Sequence, residues 1–420
     1  MVMLGALLGK VKLPVVTERP SVVSWNVTAA CNLACPHCYL DAGRRRDSEL
    51  STAEAMRVID ELGDAGTELL ILTGGEPLLR ADVFDLVQRA AAQGMVVVVG
   101  SNGVLLDEDV ARELVRAGAR GVGLSIDSTD PAKHDAFRGV AGAWKHTMGA
   151  IDACRAAGLE IVVQTTLTPW NLPELDRLVA LARSKGAVAF NAYYLVCTGR
   201  GDDLTDLGPE QYQASIEALV DAQKTMLGEI MLRAKCAPHA TRIASERGVP
   251  LAGSTGCIAG RSYLRIGPEG EVTPCPYMPD VIGNVRETSL ATLWSAAPLL
   301  GRLRARELGG RCGRCEYADV CGGCRARALA ASGDAYGEDP WCTYEPSPGA
   351  RRDQVPVTWT PEARARLERV PGFIRERLAH GLEAHARARG MTTVTPELMA
   401  EIRRNMGGHP FGGSAKPGGD

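Results

Sequence analysis

Three cysteines lie within one stretch of eight residues, directly after the first segment that has strand character. They are Cys31, Cys35 and Cys38. A loop this short can turn three thiolates toward a common centre, and a [4Fe–4S] cubane held by three cysteines keeps one iron open for another ligand. The alternative is a structural zinc site without its fourth ligand, or one completed by His37. The spacing therefore predicts a metal centre at the end of a strand.

Short apolar runs rich in β-branched residues alternate with helical patterns in the first half of the chain. Runs of this kind are typical of parallel strands covered by helices. The strand runs are 22–28, 69–73, 96–100, 122–126, 161–167 and 188–196. A capping box of Ser51 and Glu54 starts the first helix, and further helical patterns cover 81–93, 107–117, 143–157, 172–185 and 209–228. This alternation predicts an α/β fold, a partial (β/α)6 barrel whose site lies at the C-terminal ends of the strands.

The part of the chain after residue 230 changes character. Apolar periodicity fades while Gly, Pro and Cys become frequent, and metal ligation can stabilise such a segment. Helical patterns return at Thr360 and Thr395, each followed by Pro and Glu as at a helix N-terminus. The sequence thus predicts an N-terminal extension (1–21), a barrel (22–230), a Cys-rich iron–sulfur domain (231–346), a linker (347–357), a small helical module (358–406) and a disordered tail (407–420).

Composition narrows the classes of function. A net charge of −3 does not suggest a nucleic-acid partner. No apolar run approaches the roughly 20 residues that cross a bilayer, and the apolar start, residues 1–14, lacks a basic region and a convincing cleavage site. Thirteen cysteines without an export signal indicate metal ligation rather than disulfides, although Cys154 and Cys197 are expected to be buried free thiols. We therefore expect a cytoplasmic metalloprotein without a membrane span.

The cysteine loop, with Tyr39 after its last cysteine, resembles that of the radical S-adenosylmethionine superfamily. Three further motifs follow in the order that this family has, each at or after a predicted strand. The resemblance implies that Gly74, Gly75, Glu76 and Pro77 contact the amino group of S-adenosylmethionine, where glycines let the backbone approach closely. It implies that the ribose or the methionine part is contacted by Ser101, Asn102, Ser125, Asp127 and Gln164.

The chemistry of that family follows from the open iron. In the family, the amine and carboxylate of S-adenosylmethionine bind this iron, and electron transfer to the sulfonium releases a 5′-deoxyadenosyl radical that abstracts a hydrogen atom from substrate. The resemblance therefore implies that Cys31, Cys35 and Cys38 are catalytic cluster ligands. It also implies a low-potential electron donor such as a ferredoxin or a flavodoxin.

A second group of cysteines resembles the SPASM-type auxiliary-cluster domain. The resemblance implies one or two auxiliary iron–sulfur clusters. The outer cluster would be bound by Cys312, Cys315, Cys321 and Cys342, and the inner one by Cys257, Cys275 and Cys324. The last close pair is spaced by two residues instead of the usual three. Cys236 could supply the fourth inner ligand, or that iron could stay open for substrate, and a zinc ribbon over 312–324 is the alternative.

The segments around these cysteines resemble the radical enzymes that modify iron tetrapyrroles in alternative haem and haem d1 biosynthesis. The C-terminal segments Trp359–Ala363 and Thr395–Met399 are similar to the small module of a dark-operative protochlorophyllide reductase subunit. Together the resemblances imply an iron tetrapyrrole substrate whose carboxylate side chains are decarboxylated. Carboxylates of this kind need Arg or Lys partners, and the arginines near the inner group in sequence are Arg261, Arg265, Arg325 and Arg327.

Two other functions share part of these features. A SPASM-type maturase that modifies a ribosomally made peptide or protein has much of the same frame. An iron–sulfur scaffold or electron carrier would have the cysteines, but it does not account for the motifs at Gly74–Pro77 and Ser101–Asn102. We therefore expect an enzyme rather than a carrier.

Overall fold

The computed structural model describes residues 17, 19–204, 206–249, 256–347, 357–370, 375, 378–379, 382–383, 386, 391 and 393–405. The chain divides into two compact units, Met1–Pro348 and Gly349–Asp420. The predicted disordered tail (407–420) lies outside the described residues, as does most of the predicted N-terminal extension (1–21).

Ten strands of the first unit form one sheet. They are β1 (Val22–Asn26), β2 (Leu69–Thr73), β3 (Val96–Ser101), β4 (Gly121–Ser125), β5 (Glu160–Leu167), β6 (Ala189–Tyr194), β7 (Met231–Lys235), β8 (Tyr263–Ile266), β9 (Glu271–Thr273) and β10 (Gly283–Asn284). Their spatial order is β10-β9-β8-β1-β2-β3-β4-β5-β6-β7. All neighbours from β8 to β7 are parallel, whereas β9 and β10 continue the sheet antiparallel beyond β8.

Helices follow the strands as crossover connections. Those of the first unit are α1 (Thr52–Asp64), α2 (Val83–Ala92), α3 (Glu108–Ala117), α4 (Pro131–Arg138), α5 (Ala143–Ala157), α6 (Leu175–Ser184), α7 (Pro209–Thr225), α8 (His239–Arg247), α9 (Leu290–Ala296), α10 (Pro298–Ala305), α11 (Gly310–Arg314) and α12 (Arg325–Ser332). Short 3₁₀ turns cover Pro77–Leu79, Leu172–Glu174 and Gly199–Asp203. None of the described helices combines the length and the apolar character that a bilayer crossing requires.

The main apolar core lies between the sheet and its helices. Trp25 of β1, Leu72 of β2 and Leu62 of α1 are fully buried within it. The predicted capping box is present at the start of α1, where the Ser51 side chain accepts from the N–H of Glu54 and the Glu54 side chain returns to the backbone of Ser51. Because the helices cover the outer face of the sheet, the inner face is left for the interior of the barrel.

A smaller apolar cluster lines the N-terminal end of the barrel interior. Val98, Val162 and Ala189 are buried there, and they pack against Leu69 and Met231, among others. Each of these residues belongs to the first half of its strand.

The structure confirms the predicted partial (β/α)6 barrel. Among the elements that the sequence patterns did not predict are β7 and α4. β7 pairs in parallel with β6 and continues the sheet past residue 230. Its inward positions hold Arg233 and Lys235, so its composition lacks the apolar signal of a buried strand. Helix α4 begins after Asp130, whose side chain accepts from two N–H groups of the first turn, and Pro131 occupies the first helical position.

The second unit contains a small parallel pair of strands and helices. β11 (Thr358–Trp359) pairs with β12 (Thr393–Val394), and the helices with described bounds are α13 (Pro361–Glu368) and α14 (Pro396–Asn405). Thr360 accepts from the N–H of Ala363, as its Thr-Pro-Glu sequence predicts. Buried Ala363, Leu382 and Leu398 belong to its core.

Candidate active site

A cavity of about 780 Å³ occupies the barrel interior and extends to the Cys-rich segment. Its volume falls in the range of about 300 to 1,000 Å³ that is usual for small-molecule and cofactor sites. Thirteen of the residues expected from the sequence to bind clusters or cofactor line it: Cys31, Cys35, Cys38, Gly74, Gly75, Ser101, Asn102, Ser125, Gln164, Cys236, Cys257, Cys275 and Cys324. One continuous space therefore touches both the first cysteine loop and the inner cysteine group.

The loop of Cys31, Cys35 and Cys38 follows β1, and all three cysteines line this cavity. The N–H of Leu33 donates to Cys31 Sγ and the N–H of Ala42 to Cys38 Sγ, each at 3.4 Å. Hydrogen bonds to sulfur are among the features by which proteins stabilise and tune iron–sulfur clusters. Burial raises the pKa of the Cys31 thiol to about 11, so the anionic form that a metal requires depends on the metal charge.

Gly74 and Gly75 lie against the backbone that carries the cysteine loop. The N–H of Gly75 donates to Thr28 O at 2.8 Å, and the N–H of Glu76 donates to Ala30 O at 2.7 Å. A Cβ atom on Gly74 would stand 2.6 Å from Thr28 O, and one on Gly75 would overlap Ala30 O. Only glycine leaves room here, so the two segments can approach each other at the cavity wall.

Glu76 is fully buried and does not line the cavity. Its carboxylate accepts from Ser101 Oγ at 3.0 Å and from the N–H of Asn102 at 2.8 Å, and it also caps the 3₁₀ turn that starts with Pro77. Burial raises the pKa of Glu76 to about 7, against the opposing effect of these hydrogen bonds. The side chain thus fixes the loop after β2 to the loop after β3.

Asp127 is also fully buried, one step behind the cavity wall. It forms an ion pair with Arg138 of α4 and accepts from the N–H of Thr166 at 2.9 Å. Burial alone would raise the pKa of Asp127, but the Arg138 guanidinium offsets this and holds the pKa below its usual range. Arg138 Nη1 in turn lies 3.6 Å from Cys35 Sγ, so Asp127 orients a cation beside a cysteine sulfur.

Arg200 and Arg138 are site residues that the sequence analysis did not find. Arg200 follows β6, and its guanidinium donates to the carbonyls of Cys35 and Ala42 at 3.1 and 2.8 Å and pairs with Asp41 at 2.8 Å. It therefore holds the cysteine loop from the far side of the sheet. A lone arginine after a strand has no distinguishing spacing, and no sequence signal could have identified its role.

Cys236 lies in the same cavity wall as the inner cysteine group. Together with Cys257, Cys275 and Cys324 it lines the main cavity, and the charges of these cysteines affect one another. Cys236 directly follows β7 and has a φ of 58°, a left-handed conformation that a residue other than glycine seldom adopts. The backbone therefore bends at Cys236, directly after the end of β7.

The outer cysteines lie together in a second, smaller cavity. It is lined by Cys312, Cys315, Cys321 and Cys342, with His239 beside them. Backbone N–H groups lie 3.4 to 3.5 Å from three of these sulfurs. Gly322 and Gly323 both have positive φ, 69° and 61°, and a Cβ on Gly323 would stand 3.0 Å from Cys312 Sγ. Two consecutive left-handed glycines explain why only two residues are needed between Cys321 and Cys324.

Buried charges join the two cysteine groups. Asp339 is fully buried, and its Oδ2 lies 3.3 Å from His239 Nε2 and 3.4 Å from Arg327 Nη1. Burial alone would raise the pKa of Asp339, but Arg327 and His239 outweigh it and lower the pKa far below its usual range. Arg327 also lies 4.5 Å from the centre of the Trp341 ring. This network places a paired carboxylate between the outer and inner cysteines.

The four arginines that lie near the inner cysteines in sequence do not line the main cavity. Arg325 donates to three backbone carbonyls and to Cys312 Sγ, and Arg327 pairs with Asp339. Arg265 donates to Asn26 Oδ1 at 2.6 Å. Arg261 is buried as well, and none of the four lines the main cavity. The arginines that do line it are Arg138, Arg200 and Arg233.

The donor sets suit iron–sulfur clusters. Among the residues that the structure describes, no three His, Cys, Asp or Glu side chains are placed to share a single metal ion. In a cubane, by contrast, each cysteine binds its own iron, so its ligands stand apart around a cluster. All three groups consist of cysteines, and the first loop and the outer group also have N–H donors to sulfur. This is the ligand type and the hydrogen bonding of such clusters.

Comparison with family models places three known regions along the chain. The radical SAM superfamily matches residues 25–182, and an iron–sulfur cluster-binding domain of the SPASM type matches residues 257–325. A model described as proto-chlorophyllide reductase 57 kD subunit matches residues 359–403. The class defined by this fold and these cysteine groups is the radical S-adenosylmethionine enzymes that carry an auxiliary iron–sulfur domain.

Curated relatives narrow the class further. An AdoMet-dependent heme synthase of Methanosarcina barkeri is 38% identical over 344 residues, which cover 79% of this chain and 98% of the relative. A pre-heme d1 synthase of Dinoroseobacter shibae is 32% identical, over 85% of this chain and 95% of the relative. The mycofactocin maturase MftC of Mycobacterium ulcerans is 34% identical, over 77% of this chain and 88% of the relative. The chain belongs to the branch of radical S-adenosylmethionine enzymes that contains the AdoMet-dependent heme synthases.

A solved structure supports the fold. Streptococcus suis SuiB bound to S-adenosylmethionine superimposes with a TM-score of 0.65 and 17% identity, over 80% of each chain. At this identity the likeness establishes the architecture of the barrel and the Cys-rich segment, and it does not extend to the substrate.

Proposed function

We propose that this enzyme oxidatively decarboxylates the carboxylate side chains of an iron tetrapyrrole in haem or haem d1-type biosynthesis. The observation that carries the proposal is the 38% identity to an AdoMet-dependent heme synthase over 98% of that protein. The cavity of about 780 Å³ supports it, because one space touches both Cys31–Cys38 and the inner cysteines. A substrate in this space can face both groups at once.

The residues around the first loop have distinct tasks in this proposal. Cys31, Cys35 and Cys38 bind the [4Fe–4S] cluster, and Gly74 and Gly75 bring the backbone close to S-adenosylmethionine. The other polar groups that line the same wall and would contact S-adenosylmethionine are Ser101, Asn102, Ser125 and Gln164. Glu76, Pro77 and Asp127 act from behind the wall as positioning residues, since they hold the loops and Arg138 in place.

The proposed reaction conserves both atoms and electrons. When bound, the cluster and S-adenosylmethionine supply a 5′-deoxyadenosyl radical, and an auxiliary cluster supplies a one-electron acceptor. A hydrogen atom passes from the β-carbon of a propionate to that radical, which ends as 5′-deoxyadenosine. The bond between the α-carbon and the carboxylate then breaks, carbon dioxide leaves, and one electron passes to the acceptor, so that a vinyl group remains. The chain's own residues bind the macrocycle and keep water away from the carbon radical. A low-potential donor such as a ferredoxin or flavodoxin supplies the first electron.

The auxiliary ligand sets form part of the same proposal. Cys312, Cys315, Cys321 and Cys342 bind one cluster, supported by their shared cavity. Cys236, Cys257, Cys275 and Cys324 bind the other, supported by their position on the main cavity. We expect Cys236→Ala to lower the iron content per chain, whereas Cys197→Ala, at a cysteine that lines neither cavity, should leave it unchanged. Equal iron in both variants would remove Cys236 from the ligand set.

We also propose a cytoplasmic location. All thirteen cysteines are free thiols in the structure. Free thiols and iron–sulfur ligands are typical of a reducing compartment.

A direct assay tests the substrate. The protein is incubated anaerobically with iron-coproporphyrin III, a reductant and S-adenosylmethionine, and haem and 5′-deoxyadenosine are measured. We expect both products from the wild type and neither from Cys35→Ala, which lacks a ligand of the first cluster. The same incubation is repeated with other tetrapyrrole acids. If 5′-deoxyadenosine forms while none of these acids is changed, the substrate assignment is wrong.

A peptide maturase is the competing outcome of this test, since the mycofactocin maturase MftC is a relative at 34% identity. Crosslinking or decarboxylation of a co-expressed precursor peptide, with no change in any porphyrin, would favour it. A carrier or scaffold would form no 5′-deoxyadenosine in either the wild type or Cys35→Ala.

A further inference from the structure

Tyrosines are concentrated on the wall of the main cavity. Four of the nine tyrosines in the chain line it: Tyr39, Tyr193, Tyr263 and Tyr277. Two of their hydroxyls are held by side chains of β1. Asn26 Nδ2 donates to Tyr39 Oη at 2.9 Å. Ser24 Oγ and Tyr263 Oη share a hydrogen bond, so the protein itself uses the hydroxyls of Tyr39 and Tyr263.

The hydroxyl of Tyr277 is different, because no residue that the structure describes forms a hydrogen bond with it. Tyr193, the fourth tyrosine of the wall, interacts with the Asn191 side chain on the same strand. A phenol can both donate and accept a hydrogen bond, and a buried tyrosine hydroxyl normally has a partner. Since Tyr277 lines the cavity, a molecule bound there can supply that partner.

A β-turn holds the backbone of Tyr277 next to the inner cysteine group. The N–H of Met278 donates to Cys275 O at 3.2 Å, which closes the turn. Pro276 occupies its second position, where the fixed φ of proline is favourable. Tyr277 also packs against a small apolar cluster that includes Met278. The cysteines that belong to this cluster or pack against it are Cys236, Cys257, Cys275 and Cys324.

The ring of Tyr277 contacts the end of the first cysteine loop. Its centre lies 5.4 Å from the centre of the Tyr39 ring, with an angle of 65° between the ring planes. Aromatic pairs favour this edge-to-face arrangement. Tyr39 directly follows Cys38. Tyr277 therefore lies between the two cysteine groups, because its backbone is held beside one group and its ring touches the residue next to the other.

We propose that the Tyr277 hydroxyl donates a hydrogen bond to the substrate carboxylate that is lost as carbon dioxide. The proposal rests on the proposed function and assigns a residue to the reacting side chain. In that reaction the β-carbon loses its hydrogen atom to a radical formed at the first loop, and the electron leaves to an auxiliary cluster. The reacting propionate must therefore lie between the two cysteine groups, as Tyr277 does. A hydrogen bond from a phenol to an ionised carboxylate is charge-assisted, so it can hold this propionate in place.

The test separates formation of the radical from its use. Tyr277→Phe removes only the hydroxyl and keeps the ring that contacts Tyr39. In a Soret titration of the iron-loaded enzyme, we expect it to bind iron-coproporphyrin III about 2- to 10-fold more weakly than the wild type. The haem formed per 5′-deoxyadenosine should fall by about 10- to 100-fold, because a misplaced substrate reacts poorly. With substrate deuterated at the propionate β-carbons, 5′-deoxyadenosine should carry deuterium in the wild type and little in the variant.

A matched control and a second variant complete the test. Tyr336 lines neither cavity, and Arg302 lies over its ring, so Tyr336→Phe should keep the wild-type ratio of haem to 5′-deoxyadenosine. If Tyr277→Phe loses iron, iron-loaded Tyr277→His decides, because it keeps a ring with an N–H donor. A ratio near that of the wild type supports the hydrogen bond, and a ratio at least 10-fold lower overturns it.

Two failures can be told apart. If the wild type makes haem and an iron-loaded Tyr277→Phe keeps both its ratio and its deuterium transfer, the assignment of Tyr277 is wrong and the tetrapyrrole substrate stands. If the wild type changes no tetrapyrrole acid, the proposed function is wrong, and the assignment of Tyr277 falls with it.

Discussion

The backbone N–H of Cys324 donates to Asp339 Oδ2 at 2.7 Å. The N–H of the same Asp339 lies 3.4 Å from Cys312 Sγ. One residue therefore holds a cysteine of the inner group through its side chain and a cysteine of the outer group through its backbone. A carboxylate in this position also adds negative charge near both groups, and nearby charge and hydrogen bonds are what tune the potentials of iron–sulfur clusters.

We predict that Asp339→Asn destabilises the protein and shifts the auxiliary potentials. Arg327 and His239 lose their counter-charge, and leaving one partner of a buried pair alone costs about 3–5 kcal/mol. Anaerobic thermal unfolding, iron content and redox titration followed by electron paramagnetic resonance measure the effects. Asp280→Asn, at an exposed position, is the control. Unchanged stability and potentials would show that the network is not coupled to the cysteines.

Gly75→Ala is predicted to disrupt the first loop. The added Cβ would overlap Ala30 O and stand 2.8 Å from Cys31 Cβ, and such overpacking costs about 1–3 kcal/mol. We expect a lower melting temperature and less 5′-deoxyadenosine. Gly149→Ala is the matched control, since a Cβ there meets nothing within 4 Å, and this helical position should gain about 0.5–1 kcal/mol. Equal behaviour of the two variants would contradict the packing argument.

Removing Arg200 is predicted to loosen the cysteine loop. In Arg200→Ala the carbonyls of Cys35 and Ala42 lose their donor, at a cost of about 1.5–3 kcal/mol for hydrogen bonds to a charged group. We expect faster loss of iron to a chelator, with Arg200→Lys only partly protective because it lacks the planar fork. Arg116→Ala, on the exposed face of α3, should release iron at the wild-type rate.

Glu76 makes stability depend on pH. Burial raises its pKa from 4.5 to about 7 in the folded state, so between these values the folded protein keeps a proton that the unfolded chain has lost. The contribution of Glu76 is therefore greatest below about pH 4.5 and declines as the pH rises to about 7. We expect the stability of the wild type relative to Glu76→Gln to fall by up to about 3 kcal/mol from pH 5 to 8. Parallel pH profiles of unfolding for the two proteins would refute the raised pKa.

The repeating part of the fold could be predicted from the sequence, because buried parallel strands are apolar throughout. The same rule misses β7, since Arg233 and Lys235 face a cavity and carry none of the apolar signal. The cysteine spacings also indicated which thiols gather together. They could not reveal that Asp127 and Glu76 act from behind the cavity wall, because a motif contains no information on where a side chain turns. Pairings across the sheet, such as that of Arg200 with the cysteine loop, arise only in three dimensions.

The bend at Cys236, where φ is 58°, comes immediately after a strand whose inward residues are cationic. Side chains on a strand alternate between faces, so adding or deleting one residue between Arg233 and Lys235 would turn Lys235 outward. It would also displace Cys236 from the other inner cysteines. The stretch from Met231 to Cys236 must therefore keep its number of residues. Amino-acid changes can vary its chemistry, but its number of residues is fixed both by the cavity wall and by the position of Cys236 among the inner cysteines.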